Sequence, residues 1–283
     1  MFFNTRIEMN NSKNSLDSHK WFETFKHKDH LYIIRERLDK IDPRFYTTYI
    51  NLFLLIGSQI ALLIDTGCGI FPLKPILNDL IEDKVLRVLN THSHFDHIGG
   101  NYEFEKIYIH PEEEKSISKP KDISFLRDSP YEIVKRYESR NYLIPSANNI
   151  ESIKDGTIID LGGLSVQIIH TPGHSSGSIS VLTNKDELFT GDTAHYGTMY
   201  VSKNELTTHL ASIKKLLDLF KEKKDLKIYP SHEEIAVGKE LLDDLSKGLN
   251  NIDSLWETKK WDNFLEAWLV SDDVFKYAVF EEQ

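Results

Sequence analysis

The pattern of apolar and polar residues predicts a strand-rich first part of the chain. Short runs rich in β-branched and aromatic residues, each bounded by turn residues, indicate strands. They lie at 31–35, 45–56, 60–64, 85–90 and 106–110. A proline-opened amphipathic segment over 72–81 predicts the first helix, because proline fits the first helical turn. From 112 to 153 the pattern becomes helical and polar.

The same order of elements returns in the second part of the chain. Strand patterns lie at 157–160, 164–170, 178–182, 187–190 and 227–229. Before the last strand, apolar residues recur every three or four positions from Leu206 to Phe220, which predicts an amphipathic helix. Two halves of this kind predict an α/β protein in which two sheets pack together with helices outside, a four-layer αββα sandwich.

The domain organisation follows from these patterns. The first 20 residues, rich in Asn, Ser and Lys, predict a flexible N-terminal arm at 1–20. One domain is predicted over 21–240, with a helical insertion at about 112–153, and a helical C-terminal extension over 241–283 is expected to pack on it. This extension holds Trp256, Trp261 and Trp268, for which ordinary packing is the commoner role. An acyl pocket and a homodimer interface are the alternatives.

Charge and hydropathy narrow the class of protein. The 283 residues include 44 acidic and 34 basic ones, which gives a formal net charge of −10. This charge argues against a nucleic-acid-binding protein, because binding to phosphates needs clustered Lys and Arg. The apolar stretch 49–65 is interrupted by Asn51 and by a Gly-Ser-Gln turn, so neither part approaches the roughly 20 residues of a spanning helix. The start of the chain has no secretory h-region. We therefore expect a cytoplasmic protein that binds neither nucleic acid nor membrane.

Histidine is used heavily and cysteine hardly at all. The chain has 12 histidines and one cysteine, Cys68, which excludes an internal disulfide and any cysteine-rich zinc or iron–sulfur site. A metal bound by this chain would therefore take nitrogen and oxygen ligands.

The densest group of such ligands follows the strand at 85–90, in the segment THSHFDHIGG. His92 and His94 are two residues apart, so in an extended segment their side chains point to the same side. Asp96 and His97 fall in the turn before two glycines, which can direct them to a neighbouring point. One histidine alone would be an ordinary polar residue, but three with an aspartate in six residues indicate a metal site.

Three more candidate ligands, His174, Asp192 and His232, each follow a predicted strand. A rigid sheet can hold a loop residue in place at such a position. Five histidines and two carboxylates are too many for one tetrahedral zinc. They suit two metals about 3.5–4 Å apart that share a carboxylate and a water.

This set of residues resembles the metallo-β-lactamase fold superfamily. The segment 92–97, then His174, Asp192 and His232, occur in the family's order, and Asp65 in LLIDTG matches another signature position. The resemblance covers roughly 31–240 and implies an αββα sandwich with the site at the sheet edge.

The resemblance also implies a two-zinc site in which Asp192 bridges the ions. The implied ligands of the first zinc are His92, His94 and His174. Those of the second are Asp96, His97 and His232. Iron and manganese are compatible with the same ligand types.

Asp192 indicates the branch of the superfamily. Antibiotic-hydrolysing β-lactamases have a cysteine or an uncharged residue at this position, whereas a bridging aspartate resembles the glyoxalase II, lactonase and acyl-thioesterase branch. The segment SHEE after the last strand is similar to the GHE of glyoxalase II, but its glutathione-binding pattern is not evident beyond it. The resemblance therefore implies hydrolysis of a small-molecule thioester or lactone by a metal-bridging hydroxide.

Three residues have expected catalytic roles. Asp96 is expected to orient the attacking water and to carry its proton. His195 and Tyr196 follow Asp192, where relatives often hold a substrate-polarising tyrosine, and packing at the rim is the equally weighted alternative. Asp65 is expected to orient a ligand histidine.

Other functions stay open at this point. Some relatives hold one iron in a similar site and oxidise glutathione persulfide, so a persulfide-dioxygenase-like oxidoreductase is the main alternative. A hydrolase with promiscuous β-lactamase or phosphodiesterase activity is the second, and a metal-binding protein without catalysis is the third. Metal content separates the first alternative from a zinc hydrolase, since one iron favours oxidation and two zincs favour hydrolysis.

Overall fold

The structure, a computed structural model, describes residues 17–281. Its strands are β1 (Glu23–Lys28), β2 (Leu31–Arg37), β3 (Tyr49–Ile56), β4 (Ile60–Ile64), β5 (Val85–Leu89), β6 (Ile107–Ile109), β7 (Lys121–Asp122), β8 (Leu143–Ile144), β9 (Ile150–Ser152), β10 (Ile158–Asp160), β11 (Ser165–His170), β12 (Ile179–Thr183), β13 (Glu187–Gly191), β14 (Thr198–Ser202), β15 (Lys227–Pro230), β16 (Lys260–Asp262), β17 (Ala267–Ser271) and β18 (Lys276–Phe280). Its helices are α1 (Leu38–Ile41), α2 (Lys74–Ile81), α3 (Phe95–Ile98), α4 (Pro111–Ile117), α5 (Tyr131–Glu138), α6 (Leu206–Leu219) and α7 (Glu240–Leu255). Short 3-10 turns lie at Asn101–Glu103, Ser124–Asp128, Lys203–Glu205 and Trp256–Thr258.

Two large sheets carry the fold. The first has seven strands in the order β1-β2-β3-β4-β5-β6-β9, and the second has five in the order β10-β11-β12-β13-β15. The pairs from β4 through β9 are parallel, as is the pair of β13 and β15. Parallel strands in one sheet end at the same edge, so the loops that follow them start close together.

The hydrophobic core is divided by the sheets into separate layers. Phe53 of β3 lies in a buried cluster with Ile168 of β11, which joins the two sheets face to face. Its neighbour Leu52 points to the other side, into a cluster with α2 and the insertion. On the far side of the second sheet, Leu188 packs in a cluster with Ile213 of α6. Helices therefore cover both outer faces, which confirms the predicted αββα sandwich.

The apolar stretch at 49–65 forms a buried hairpin. Strands β3 and β4 pair antiparallel, with Phe53 opposite Ile64 and Ile56 opposite Ala61. Within residues 17–281, no helix has both the length and the apolar character needed to cross a membrane.

The prediction of a helical C-terminal tail is correct for α7 and wrong beyond it. Strands β16, β17 and β18 follow, and with β14 they form a four-stranded sheet. The physical reason for these strands is the high β propensity of tryptophan. Trp261 and Trp268 are directly opposed across β16 and β17, where such aromatic pairs stabilise a sheet. Their ring centres are 5.2 Å apart, and Trp256 packs on Trp268 at 6.4 Å.

The predicted insertion contains helices α4 and α5, as expected. It also contains the short β7–β8 pair, and it ends at β9, an edge strand of the first sheet. Of the predicted flexible arm at 1–20, residues 1–16 lie outside the described part of the chain, and residues 17–20 are helical.

Candidate metal centre

The seven predicted ligands are brought together by loops that follow strands. The loop after β5 carries His92 and His94, and the short helix α3 supplies Asp96 and His97. The loops after β11, β13 and β15 carry His174, Asp192 and His232. The strands fix where each loop begins, so seven side chains from four places in the sequence meet in two adjacent groups.

Three imidazoles face one another in the first group. The Nε2 atom of His174 lies 2.8 Å from Nδ1 of His94 and 3.2 Å from Nε2 of His92. Together with a carboxylate oxygen of Asp192, these ligand atoms all lie within 4.8 Å of one another. Such a group could hold one metal ion.

The second group consists of Asp96, His97 and His232, with ligand atoms again within 4.8 Å. Oδ2 of Asp96 lies 3.7 Å from Nε2 of His97 and 3.6 Å from Nε2 of His232. Asp192 reaches this group as well. Its Oδ1 lies 3.2 Å from Nε2 of His97, and its Oδ2 lies 3.1 Å from Nε2 of His232 and 3.5 Å from Nε2 of His174. This carboxylate therefore lies between the two groups.

Burial gives two histidines of the first group the protonation state that metal binding needs. Burial lowers the pKa of His94 to about 4 and that of His174 to about 3, so both imidazoles are neutral at pH 7 and present a lone pair. Burial alone would raise the pKa of the Asp192 carboxyl. The charges of His232 and His97 outweigh burial and hold this pKa well below its usual range.

Two buried atoms test whether the residues fit a metal. Within the described part of the chain, Nε2 of His97 and Oδ1 of Asp192 lie 3.2 Å apart, and neither atom has a hydrogen-bond partner. Unpaired buried polar atoms are costly, and a divalent cation between them satisfies both. A donor set of imidazole nitrogen and carboxylate oxygen suits zinc and neighbouring first-row metals. The residues present therefore fit a divalent metal ion.

The far nitrogens of three of the histidines are held by the protein. His97 Nδ1 donates to Oδ2 of Asp65 at 2.8 Å, which confirms the expected contact of Asp65 with a ligand histidine. The Nδ1 atoms of His174 and His232 donate to the carbonyl oxygens of Tyr200 at 3.0 Å and Tyr49 at 2.8 Å. These bonds orient the rings so that Nε2 faces the centre.

Comparisons with known proteins show the family of the chain. The family model of the metallo-β-lactamase superfamily matches residues 46–232. The chain belongs to this superfamily. Acyl-coenzyme A thioesterase MBLAC2 from Bos taurus is 28% identical over 235 residues, which cover 74% of this chain and 81% of that protein. A probable metallo-hydrolase from Methanocaldococcus jannaschii is 30% identical over 200 residues, which cover 66% and 88%.

Solved structures of the superfamily share the fold. The metallo-β-lactamase family protein from Thermus thermophilus superposes with a TM-score of 0.61 at 23% identity, over 83% of this chain and 86% of that one. These relationships confirm the predicted family and the αββα fold, and they identify the chain as a hydrolase. The fold of this superfamily implies a divalent metal in the centre described above.

The structure does not bring His195 or Tyr196 to the cavity beside the ligands. His195 is fully buried behind His232, with ring centres 5.0 Å apart, and its Nδ1 donates to the carbonyl oxygen of Tyr196. The ring of Tyr196 stacks on Phe275 at 5.7 Å, in the core cluster beneath α6 and α7. Neither side chain therefore lines the cavity, and a catalytic role for either stays a prediction.

A cavity of about 340 Å³ opens onto the candidate ligands, and its lining includes residues that sequence patterns did not indicate. Tyr200 and Thr47 line it, and Oγ1 of Thr47 is buried with no hydrogen-bond partner among residues 17–281. One signal for Tyr200 was present in the sequence. The run Thr198–Ser202 has strand composition and follows Asp192 closely. Thr47 had no comparable signal.

Glu113 of α4 was also missed, and it ties the two halves of the three-histidine group together. Its buried carboxylate accepts a hydrogen bond from the hydroxyl of Ser93, which lies between His92 and His94. Its Oε1 accepts from Oγ of Ser175 at 2.7 Å and from the amide of Gly177 at 2.9 Å, in the loop of His174. The insertion thus supports both ligand loops.

We expect Glu113→Gln to lower metal affinity at the three-histidine group by about tenfold. The amide cannot accept from both loops, and losing such an outer partner typically costs 10–100-fold in affinity. Competition with a chromophoric chelator measures the affinity of each bound equivalent. Glu112→Gln, the exposed neighbour in the same helix, is the control and should leave both affinities unchanged. Unchanged affinity in Glu113→Gln would mean that this carboxylate serves folding alone.

Proposed function

We propose that the protein is a dinuclear zinc hydrolase that cleaves an ester-like acyl bond, with a thioester favoured over a lactone. The position of Asp192 between the two groups carries this proposal. The relative named as an acyl-coenzyme A thioesterase supports the thioester and a small-molecule acyl substrate. Cytoplasmic location, the absence of nucleic-acid and membrane partners, and a homodimer remain predictions from the sequence.

In this proposal His92, His94 and His174 hold one zinc, and Asp96, His97 and His232 hold the other, with Asp192 shared. Two zincs in such a site supply an activated water at neutral pH and polarise a carbonyl oxygen. Burial keeps His174 neutral, and the rings of His97 and His174 are oriented through Asp65 and the carbonyl of Tyr200. These contacts prepare the site before substrate arrives.

Asp96 is the proposed proton carrier. It lines the cavity, and its carboxylate lies within 3.7 Å of both histidines of its group. A carboxylate at this place can accept the proton of the attacking water and return it to the leaving thiolate. Its side chain is nearly buried, so that proton is kept from bulk solvent.

A substrate panel on metal-quantified protein tests the proposal. It compares kcat/KM for acyl-coenzyme A, acyl-glutathione, lactone, β-lactam and phosphodiester substrates. The highest value is expected for acyl-coenzyme A, and zinc removal should abolish it. Turnover of the β-lactam or the phosphodiester without turnover of any acyl substrate would overturn the proposal.

A further inference from the structure

The wall of the cavity is apolar apart from the candidate ligands. Its hydrocarbon surface comes from the side chains of Leu38, Phe45, Phe95 and Phe280, and from the ring of Tyr200. No lysine or arginine of residues 17–281 lines it, and its remaining polar side chains are those of Thr47, Ser202 and Tyr200, each with one hydroxyl. Such a wall favours hydrocarbon and gives no compensation for a buried phosphate or carboxylate.

Two phenylalanines of this wall contact two others that lie beyond it. We call Phe45, Phe95, Phe125 and Phe264 the phenylalanine cluster. Phe45 stacks on Phe95 with ring centres 5.7 Å apart, and Phe95 meets Phe125 at 5.4 Å. Phe125 lies 6.2 Å from Phe264, which meets Phe45 at 5.4 Å. Each ring therefore contacts two others, and the four contacts close into a ring.

The phenylalanine cluster joins four distant parts of the chain beside the metal centre. Phe45 lies before β3, Phe95 opens α3 next to Asp96, Phe125 belongs to the insertion, and Phe264 lies between β16 and β17. The guanidinium of Arg44 packs 4.1 Å from the ring centre of Phe264 and donates to the carbonyl oxygen of Phe125. This residue holds the two outer rings in place.

The outer edge of the phenylalanine cluster is open to solvent. Phe125 is 43% exposed, although it contacts the half-buried rings of Phe95 and Phe264. An exposed aromatic side chain that continues the wall of an apolar cavity typically marks a ligand-binding surface. The apolar surface thus runs from the candidate ligands, past Phe95, to the outside of the molecule.

We propose that this cavity and the phenylalanine cluster form the binding site for the acyl chain of the substrate, and that Phe125 extends the site to longer chains. The inference rests on the proposed function, because it assigns a position to each of the two parts of a thioester, which we call the acyl arm and the thiol arm. The acyl arm enters the apolar cavity. The thiol arm, with its polar and charged groups, stays outside because the wall has no cation to receive them. A cavity of about 340 Å³ is at the small end for ligand sites, so it suits one arm rather than a whole acyl-coenzyme A.

Straight-chain acyl-coenzyme A substrates from acetyl to palmitoyl test the assignment on the zinc-loaded protein. For the unmodified chain, kcat/KM should rise by about fourfold for each methylene that the cavity buries. In Phe125→Ala the ratio of kcat/KM for decanoyl- to that for acetyl-coenzyme A should fall by about tenfold, and Phe125→Leu should restore most of it. Phe25→Ala, which changes a similarly exposed phenylalanine on β1, should leave the ratio unchanged.

The outcomes separate this inference from the proposed function. Turnover of acyl-coenzyme A with no dependence on chain length would overturn the acyl site and leave the hydrolase intact. The acyl site is also refuted if Phe125→Ala keeps the ratio, or if Phe25→Ala lowers it equally. No turnover of any acyl-coenzyme A, acyl-glutathione or lactone by zinc-loaded protein would overturn the proposed function itself. If there is no turnover, the acyl site can still be tested by calorimetry of decanoate binding to the unmodified protein and to Phe125→Ala. Equal affinity of the two proteins for decanoate would refute the acyl site.

Discussion

Asp192→Asn should reduce kcat/KM for the best acyl substrate by more than about 100-fold. Mutation of a residue that only supports a metal ligand typically costs up to about 100-fold, and the loss of a ligand should cost more. The carboxylate lies between His97 and His232 on one side and His174 on the other, at 3.1 to 3.5 Å. Asparagine has the same shape but no charge, so it cannot bridge two cations with two anionic oxygens. The metal content should fall from about two ions per chain to about one.

Elemental analysis and kinetics on the same preparation check this result. Asp83→Asn, an exposed carboxylate on the surface, is the matched control and should keep both metal content and turnover. Full activity with two metals bound in Asp192→Asn would show that this residue does not bridge, and the two-metal proposal would fail with it.

Asp65→Asn should weaken metal binding at the second group by about 10–100-fold. Asp65 is fully buried and accepts hydrogen bonds from the amide and the hydroxyl of Thr91, both at 2.8 Å, and from Nδ1 of His97. Asparagine has one acceptor oxygen instead of two, so at least one of these donors loses its partner. His97 then loses the charge that orients its ring and favours Nε2 as the ligand atom.

Asparagine is the appropriate replacement here because of the backbone. Asp65 has a φ of 63°, and asparagine tolerates this left-handed conformation, whereas alanine would add strain of about 1–2 kcal/mol. Asp186→Asn makes the same change at a φ of 58° in a surface turn, so it is the matched control. Chelator competition should show a loss only for Asp65→Asn. Equal metal affinity in both variants would remove Asp65 from the support of the centre.

The candidate ligands could be predicted because their signals are local. The segment from His92 to His97 is compact in sequence, and the other ligands each follow a strand whose pattern is clear. Helix α6 is equally local, and its apolar period predicts Leu206 to Phe220 where the structure has Leu206–Leu219. Periodicity and short spacing carry this kind of information directly.

The tail and the cavity wall could not be predicted because they depend on contacts between distant residues. Trp261 and Trp268 have a spacing that also fits a helix, and only their pairing across β16 and β17 decides the structure. Phe45 and Phe264 are in contact although they are far apart in the sequence, and no local pattern predicts that contact. Tyr200 of β14 lines the cavity and Tyr196 does not, and no local pattern distinguishes the two tyrosines.

Zinc titration of the metal-free protein tests the two-zinc hydrolase most directly. The protein is stripped with a chelator, zinc is added stepwise, and both bound metal and acyl-coenzyme A hydrolysis are measured at each step. We predict that activity rises to its maximum at about two zincs per chain. Maximal activity at one metal, restoration by iron alone, or hydrolysis that persists in the stripped protein would contradict it.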